Sequence, residues 1–430
     1  MSVADLQARI ETVSGEIDRQ KEVLKKLERS KSALQRQLNA VRDPVTRLPL
    51  EISSEIFIQC LPSSSNPQPG ARDIPMLFLN ICNAWTDIAL SNLALWEAIH
   101  IKYPRAKGFG QLLAIWLSRA RNHSLSLSIH GTLGEGDATI VREYAEKLRS
   151  LKIHSHDDDY LDLLERMSFP SLKTLEIGIL RDAYGEAPCY SLYQTLDILR
   201  VAPNLVECTF YNLSTCNDSR TGNLLLPSLR FLAFRGEFQF SDDEILKLLT
   251  LPALETLALT MVTVSLNDLA SFLKRSSPLL QNLIMIRRYT YQELDFTQLD
   301  ECLRLVPTLT HLELSGRGEY PAPMFTSLAD SPSLLPNLLS IQINCPQQTI
   351  THLLYSALVR ALSARRTQII CCKINWEDGT EPAFAEEPHA HIREALRGFA
   401  ADGMQIQLGS RSRNYLYSFS HTLRSSVILN

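Results

Sequence analysis

The sequence predicts an α/β chain in three parts: a long N-terminal heptad helix, a small helical segment, and a solenoid of strand-and-helix repeats with a parallel concave sheet and outer helices. Three observations carry this. A Pro-x-Leu-x-x-φ-x-φ unit (φ apolar) recurs seven times beyond residue 170. The first 43 residues keep a regular four-three spacing that is apolar at all but two positions. Between the two, residues 44–101 concentrate leucine, isoleucine, phenylalanine and tryptophan.

In the N-terminal part, Leu6, Ile10, Val13, Ile17, Gln20, Leu24, Leu27, Lys31, Leu34, Leu38 and Val41 alternate by four and three. That is a heptad seam, with Arg9, Glu11, Arg19, Lys21, Glu22, Lys25, Lys26 and Glu28 lying off it. Gln20 and Lys31 interrupt the seam, and polar residues there weaken association while fixing register. Two readings stand: homodimerisation through residues 6–41, or a single helix that is solvated or folds back on the body. Asp43-Pro44 ends the helix, because proline removes an N–H and biases its predecessor toward extended backbone.

The second part opens Leu48-Pro49-Leu50-Glu51-Ile52-Ser53-Ser54-Glu55-Ile56-Phe57. Pro49 suits a first helical turn, and Ile52, Ile56 and Phe57 then fall on one helical face. A second helix is expected to carry Leu77, Ile81, Trp85 and Ile88 as one stripe. So short a segment lies near the lower limit for an independent core, which leaves apolar surface for a partner. The ordered LP…E-I-F…C-x-x-W…LW series, from Leu48 through Cys82 and Trp85 to Leu95-Trp96, resembles the F-box. The resemblance implies docking onto the adaptor subunit of a cullin–RING ubiquitin ligase, with Leu48, Pro49, Ile56, Phe57, Leu77, Ile81 and Trp85 facing or supporting the adaptor. Two departures from the family pattern are a longer Pro/Ser loop at 62–75 and Asn83-Ala84 where basic residues often precede the tryptophan.

In the third part, residues 102–409, the repeating prolines are Pro170, Pro203, Pro227, Pro252, Pro278, Pro307 and Pro336, separated by 33, 24, 25, 26, 29 and 29 residues. Each proline stops a preceding helix, such as Asp242 to Leu249 or Leu266 to Lys274, and the alternating residues after it make a half-buried strand. No repeat can bury its apolar face alone, so the repeats must stack. These units resemble leucine-rich repeats that pair a strand with a helix. With the F-box resemblance they look like a substrate receptor of the expanded fungal F-box-like family. The Asn or Cys that regular repeats carry is replaced by Leu180, Leu213, Glu237, Val262, Arg288, Arg317 and Pro346, which predicts an irregular array. Inserted loops are expected at Arg181 to Pro188 and Thr215 to Asn223. Strands at Gln368 to Ile374 and Met404 to Leu408, with a helix from His389 to Phe399, are expected to cap the solenoid before a tail at 410–430.

Inward φ positions leave the alternate residues of each strand on the concave face. Glu176, Thr209, Ala233, Ala258, Ile284, Glu313 and Gln342 take the strand centres, and Tyr211, Arg235, Thr260, Ile286, Ser315 and Asn344 follow two residues later. Tyr211, Arg235, Ile284, Ile286, Arg287 and Arg288 are of the types that anchor protein interfaces, and form a candidate target-binding set. The alternative is a scatter of exposed residues that bind nothing.

With 45% hydrophobic and 21% charged residues the composition is that of a globular protein. A net charge of −4 without clustered Lys/Arg argues against nucleic acid as partner. No apolar run reaches the length of a membrane span and the start has no signal-peptide pattern, so a cytoplasmic or nuclear location without membrane contact is expected. Nine cysteines without C-x-x-C read as reduced, mostly buried thiols. His154-Ser155-His156 with Asp157 to Asp159, and His389-Ala390-His391, lack metal-site geometry, and Gly131 to Gly136 lacks the residues of a phosphate loop. No metal, cofactor or catalytic group is expected. The functional expectation is a non-catalytic receptor that partners the adaptor and cullin subunits and holds a protein target. The alternative is an interaction scaffold or coiled-coil dimer in which the F-box-like segment is only structural.

Overall fold

A single helix of 40 residues, α1 (Val3–Arg42), begins the chain. Its length is supported by charge pairs one turn apart: Arg19 with Glu16 at 2.6 Å, Lys21 with Asp18 at 3.0 Å and Lys25 with Glu22 at 3.8 Å. Its seam residues Ile10, Leu24, Leu27 and Leu34 are 57 to 66% exposed. The computed structural model describes residues 3–62, 67, 70, 73–103, 109–120, 123–131, 135–155, 164, 167–179, 192–211, 222–235, 244–260, 265–286, 294–346, 349–376, 388–410 and 416. The chain divides into two compact units, Met1–His130 and Gly131–Asn430.

In the first unit α1 is followed by a 3-10 turn (Val45–Arg47), α2 (Leu50–Gln59), a 3-10 helix (Met76–Asn80), α3 (Asn83–Ser91) and a 3-10 turn (Leu93–Trp96). The strand β1 (Ala98–Lys102), α4 (Phe109–Ala120) and β2 (Leu125–His130) complete it. β1 and β2 are parallel, with Ile99 beside Leu127 and Ile101 beside Ile129. Residues 102–130, which the sequence assigns to the repeat region, thus fall in this unit.

The second unit opens with α5 (Glu135–Tyr144), then β3 (Leu148–Ser155), β4 (Thr174–Ile179), α6 (Leu192–Arg200), β5 (Glu207–Tyr211), β6 (Leu224–Leu225), β7 (Phe231–Arg235), β8 (Leu249–Thr250) and β9 (Thr256–Leu259). It continues with α7 (Leu266–Ser276), β10 (Asn282–Ile286), α8 (Phe296–Arg304), β11 (His311–Ser315), α9 (Pro321–Asp330), β12 (Ser340–Asn344), α10 (His352–Ala364), β13 (Cys371–Trp376), α11 (Ala390–Ala401) and β14 (Gln405–Ser410). From β3 to β14 the strands pair in chain order into one parallel sheet, with β6 and β8 set aside as a separate pair. This is the α/β solenoid that the proline-punctuated repeat predicts.

The register is uniform. Leu175, Cys208, Leu232, Leu257, Leu283, Leu312, Ile341, Cys372 and Ile406 form one continuous row. All are buried, and the Leu of each Pro-x-Leu, for example Leu205, Leu254 and Leu309, is at 0 or 1% exposure. Each such side chain contributes about 1.5–3 kcal/mol on burial. The turns are tied from repeat to repeat: Asn204 Nδ2 donates to the Pro170 carbonyl at 2.9 Å, and Asn337 Nδ2 to the Pro307 carbonyl at 3.1 Å. Side-chain caps start the helices. Ser265 and Asp268 form a reciprocal capping box on α7, and Asp295 accepts from Thr297 N–H at the start of α8.

One expectation changes. The helix expected over Asp242 to Leu249 is a 3-10 helix, Glu244–Leu248, because Leu249 instead enters β8 beside Leu224. The C-terminal strands β13 and β14 are the last two of the same parallel ladder, with Ile374 beside Leu408. The inserted loop Arg181 to Pro188 lies outside the described residues, as do most of Thr215 to Asn223 and, but for Leu416, the tail beyond Ser410.

The cysteine chemistry follows from burial. Desolvation pushes the thiols of Cys302, Cys345 and Cys372 up to about 12 and that of Cys208 higher still. At neutral pH these are thiols, and only the thiolate is an effective nucleophile. Cys60 is free and exposed. Maleimide labelling of the native chain, read by peptide mass spectrometry, is expected to modify Cys60 and to spare these four until urea unfolds the repeats.

Candidate functional site

The F-box-like segment is built around three aromatic rings. Phe57 of α2 stacks on Phe78 with centroids 4.2 Å apart, and Trp85 of α3 closes on them at 4.8 and 5.6 Å. Trp85 Nε1 donates to the Asp43 carboxylate, which ties the end of α1 to this core. A second pair, Trp96 with Trp116 at 5.2 Å, lies beneath, with the Trp96 N–H donating to the Ala89 carbonyl at 2.8 Å. Both indoles are fully buried, and their polar edges are satisfied.

The expected α2 face is rotated. Ser53 and Phe57, one turn apart, are the buried positions at 0 and 1% exposure, while Ile52 and Ile56 are 51 and 38% exposed. The small Ser53 side chain is the reason: it lets the preceding turn approach closely enough for Ser53 Oγ to donate to the Val45 carbonyl at 3.3 Å. Pro49 stands at the N-cap, and its carbonyl accepts the first helical bond from Ser53 N–H. The second helix is also not continuous. Its first part is the 3-10 helix, Cys82 adopts extended backbone with its side chain buried, and α3 starts at Asn83. Stacking on Phe57 draws Phe78 inward, and Leu77 is left outside at 38% exposure.

Of the seven residues expected to face or support an adaptor, Leu48, Pro49, Ile56 and Leu77 are therefore exposed. Phe57 is buried, and Ile81 and Trp85 are half-buried beneath them. Leu50 and Ile52, at 53 and 51% exposure, join the exposed apolar set, and sequence periodicity did not single them out for this role. An exposed Leu or Ile is unremarkable alone, and the five on this short segment form a candidate surface.

The second surface is the sheet face away from the repeat core. The row Glu176, Thr209, Ala233, Ala258, Ile284, Glu313 and Gln342 is continuous in register, and Lys373 and Gln407 extend it. Its polar members pair with one another at both ends. Glu176 takes Lys152 Nζ at 2.9 Å and faces His154 Nε2 at 3.5 Å. Glu313 Oε1 accepts from Gln342 at 2.9 Å and Asn344 at 3.0 Å, and Asn375 donates on to Asn344 at 3.1 Å. Between these ends lie Phe231, Ala258, Ile284 and Ile286, partly exposed and uncharged, together with the exposed Arg235, while Ala233 is fully buried. Tyr211 sits at the edge of that stretch, 5.4 Å from the His154 ring. Gly178 between them makes the approach feasible, since a Cβ there would stand 2.6 Å from His154 Cδ2. Arg235 is exposed beside Tyr211 in register, whereas Arg287 and Arg288 lie outside the described residues.

Among the described residues, no group of three or more His, Cys, Asp or Glu side chains is placed to hold a metal ion, and no helix is long and apolar enough to cross a membrane. No family model matches the chain, and no curated protein matches it. Among solved structures it is similar to the crystal structure of the Rad7 and Elc1 complex in yeast. The identity is 10%, with 89% of this chain and 96% of that chain covered, at a TM-score of 0.41, a likeness too distant to bear on function.

Proposed function

We propose that the chain is a non-catalytic substrate receptor: its F-box-like unit docks on the adaptor of a cullin–RING ubiquitin ligase, and its repeat sheet holds a protein target. The observation that carries the reading is the exposed apolar set Leu48, Leu50, Ile52, Ile56 and Leu77 standing over a completed aromatic core. The core needs none of them, so their exposure is a cost without a partner. The receptor mechanism is proximity, in which tethering raises the effective concentration of a target lysine near the charged ubiquitin carrier. On the sheet, the partly exposed Phe231, Ala258, Ile284 and Ile286, with Arg235 beside them and internally paired polar residues at both ends, support docking of a protein surface. The polar residues at the two ends already satisfy one another, and the exposed apolar ones gain from being covered.

The test is size-exclusion chromatography with light scattering of the full chain mixed with purified adaptor, followed by addition of cullin and RING subunits. A stoichiometric complex that recruits the cullin is the expected result. A folded chain that elutes apart from the adaptor overturns the receptor reading and leaves the scaffold alternative.

A further inference from the structure

Two side-chain hydrogen bonds of α1 to the segment after Asp43 leave from Arg36, whose guanidinium meets Asn80 at 3.4 Å, and Asn39, whose amide donates to the Ile81 carbonyl at 2.9 Å. With Leu24 lettered a and Leu27 lettered d, these residues are f and b, opposite the seam. The helix turns its polar side to its own unit and its apolar side to water, with Leu38 and Val41 still 44 and 76% exposed beside the contact. A helix that served only its own unit would be oriented the other way round.

We infer that the seam of α1 is covered by α1 of a second copy, running antiparallel, in the register centred between Leu24 and Leu27. In an antiparallel pair each a residue meets a d residue. In this register Leu24 faces Leu27 of the second copy, Ile17 faces Leu34 and Ile10 faces Val41. The two polar seam residues then face each other, Gln20 against Lys31, at two symmetry-related layers. A slip of one heptad in either direction sets both against leucine or valine. A parallel, in-register pair sets Lys31 against Lys31, two like charges in the seam.

The flanking charges agree with the antiparallel register. Lys21 and Glu28 both occupy e positions, and e faces e in an antiparallel pair, so Lys21 of each copy lies beside Glu28 of the other. In the parallel arrangement Lys21 meets Glu16 instead, and Glu28 meets the uncharged Val23. At 1.5 Å rise per residue the antiparallel pair holds the ends of the two helices, and the F-box-like segments attached to them, about 50 Å apart. Each copy keeps its own docking surface, so dimerisation is independent of adaptor binding.

The test is sedimentation equilibrium of the full chain with single and paired charge reversals. Wild type is expected to be a dimer at micromolar concentration. Lys21→Glu and Glu28→Lys are each expected to weaken it roughly tenfold, and the double variant to restore it. Residues 21 and 28 are two turns apart on one helix and do not touch, so their coupling reports contact between copies. A variant with Leu24→Glu and Leu27→Glu, whose side chains are exposed in the single chain, is expected to be a folded monomer. A monomeric wild type overturns the proposal. Rescue of Lys21→Glu by Glu16→Lys, and not by Glu28→Lys, also overturns it, because that is the parallel pairing.

Discussion

Replacing Ile52 and Ile56 together by glutamate is expected to reduce adaptor affinity by about 100-fold or more while the F-box-like unit stays folded. Phe57→Ala is expected to cost about 3–5 kcal/mol of that unit's stability, and to lose adaptor binding only as a consequence. The contrast comes from burial. Ile52 and Ile56 are substantially exposed, so a carboxylate there keeps its water in the free chain and loses it only when an adaptor covers the site. Phe57 is 1% exposed, stacked on Phe78 and tilted against Trp85, so truncation leaves a void that the small unit has little further core to offset. Trp85 lies against the truncated ring, and its fluorescence reports the loss. Co-elution with adaptor, beside fluorescence-monitored urea unfolding, separates the two variants. If the glutamate pair binds the adaptor as wild type does, α2 is not the docking element. If Phe57→Ala unfolds no more readily than wild type, the aromatic cluster is not the core of the unit.

The same two residues show what was legible in the sequence. Apolar periodicity placed Ile52, Ile56 and Phe57 on one helix, but it could not distinguish an inward from an outward stripe. That distinction rests on Ser53, whose polar character hides a packing role that depends on its small size. The break at Cys82 was equally hidden, since Leu77, Ile81, Trp85 and Ile88 keep perfect helical spacing while the stacking of Phe78 on Phe57 selects a 3-10 turn. The repeats were legible because their signal is local: a proline ends each helix and alternation marks each strand. Correct spacing also placed Glu313, Gln342 and Asn344 on one face, although their mutual hydrogen bonds depend on the register between strands. Contacts made to backbone carbonyls left no trace at all, because an acceptor common to every residue has no sequence signature.

Arg365 is the strongest such case, and Arg365→Met is expected to destabilise the C-terminal repeats by about 3 kcal/mol. Its side chain, read from sequence, is one of many surface cations. In the fold it is 7% exposed at the end of α10 and binds three carbonyls of the preceding repeat. Nε donates to Leu328 at 3.1 Å, and one terminal nitrogen to Ser331 and Leu334 at 2.8 and 2.9 Å. The other terminal nitrogen donates to Gln368 at 2.9 Å. These carbonyls end α9 and start the turn into β12, where a helix has no partners of its own to offer. A planar guanidinium with five donors can serve all of them at once, and burial without a carboxylate partner lowers its proton affinity yet leaves it charged. Arg275 does the same between α7 and the preceding 3-10 helix, donating to Leu246 at 3.0 Å and Leu249 at 2.8 Å, so the device recurs within the array. Methionine fills much of the volume and leaves the carbonyls bare, which isolates the hydrogen-bond loss from a cavity. Arg365→Lys keeps the charge but cannot span the three acceptors, and should fall between. The neighbouring Arg360 pairs with Asp330 at the surface, both half exposed, and Arg360→Ala is expected to cost less than about 1 kcal/mol. Because a repeat array opens locally, amide exchange is the appropriate measurement. The expected result is faster exchange at Leu334, Leu338 and Ile369 in Arg365→Met, with the β4 to β7 amides unchanged. Uniform protection in both variants would mean that sheet register alone holds the repeats together.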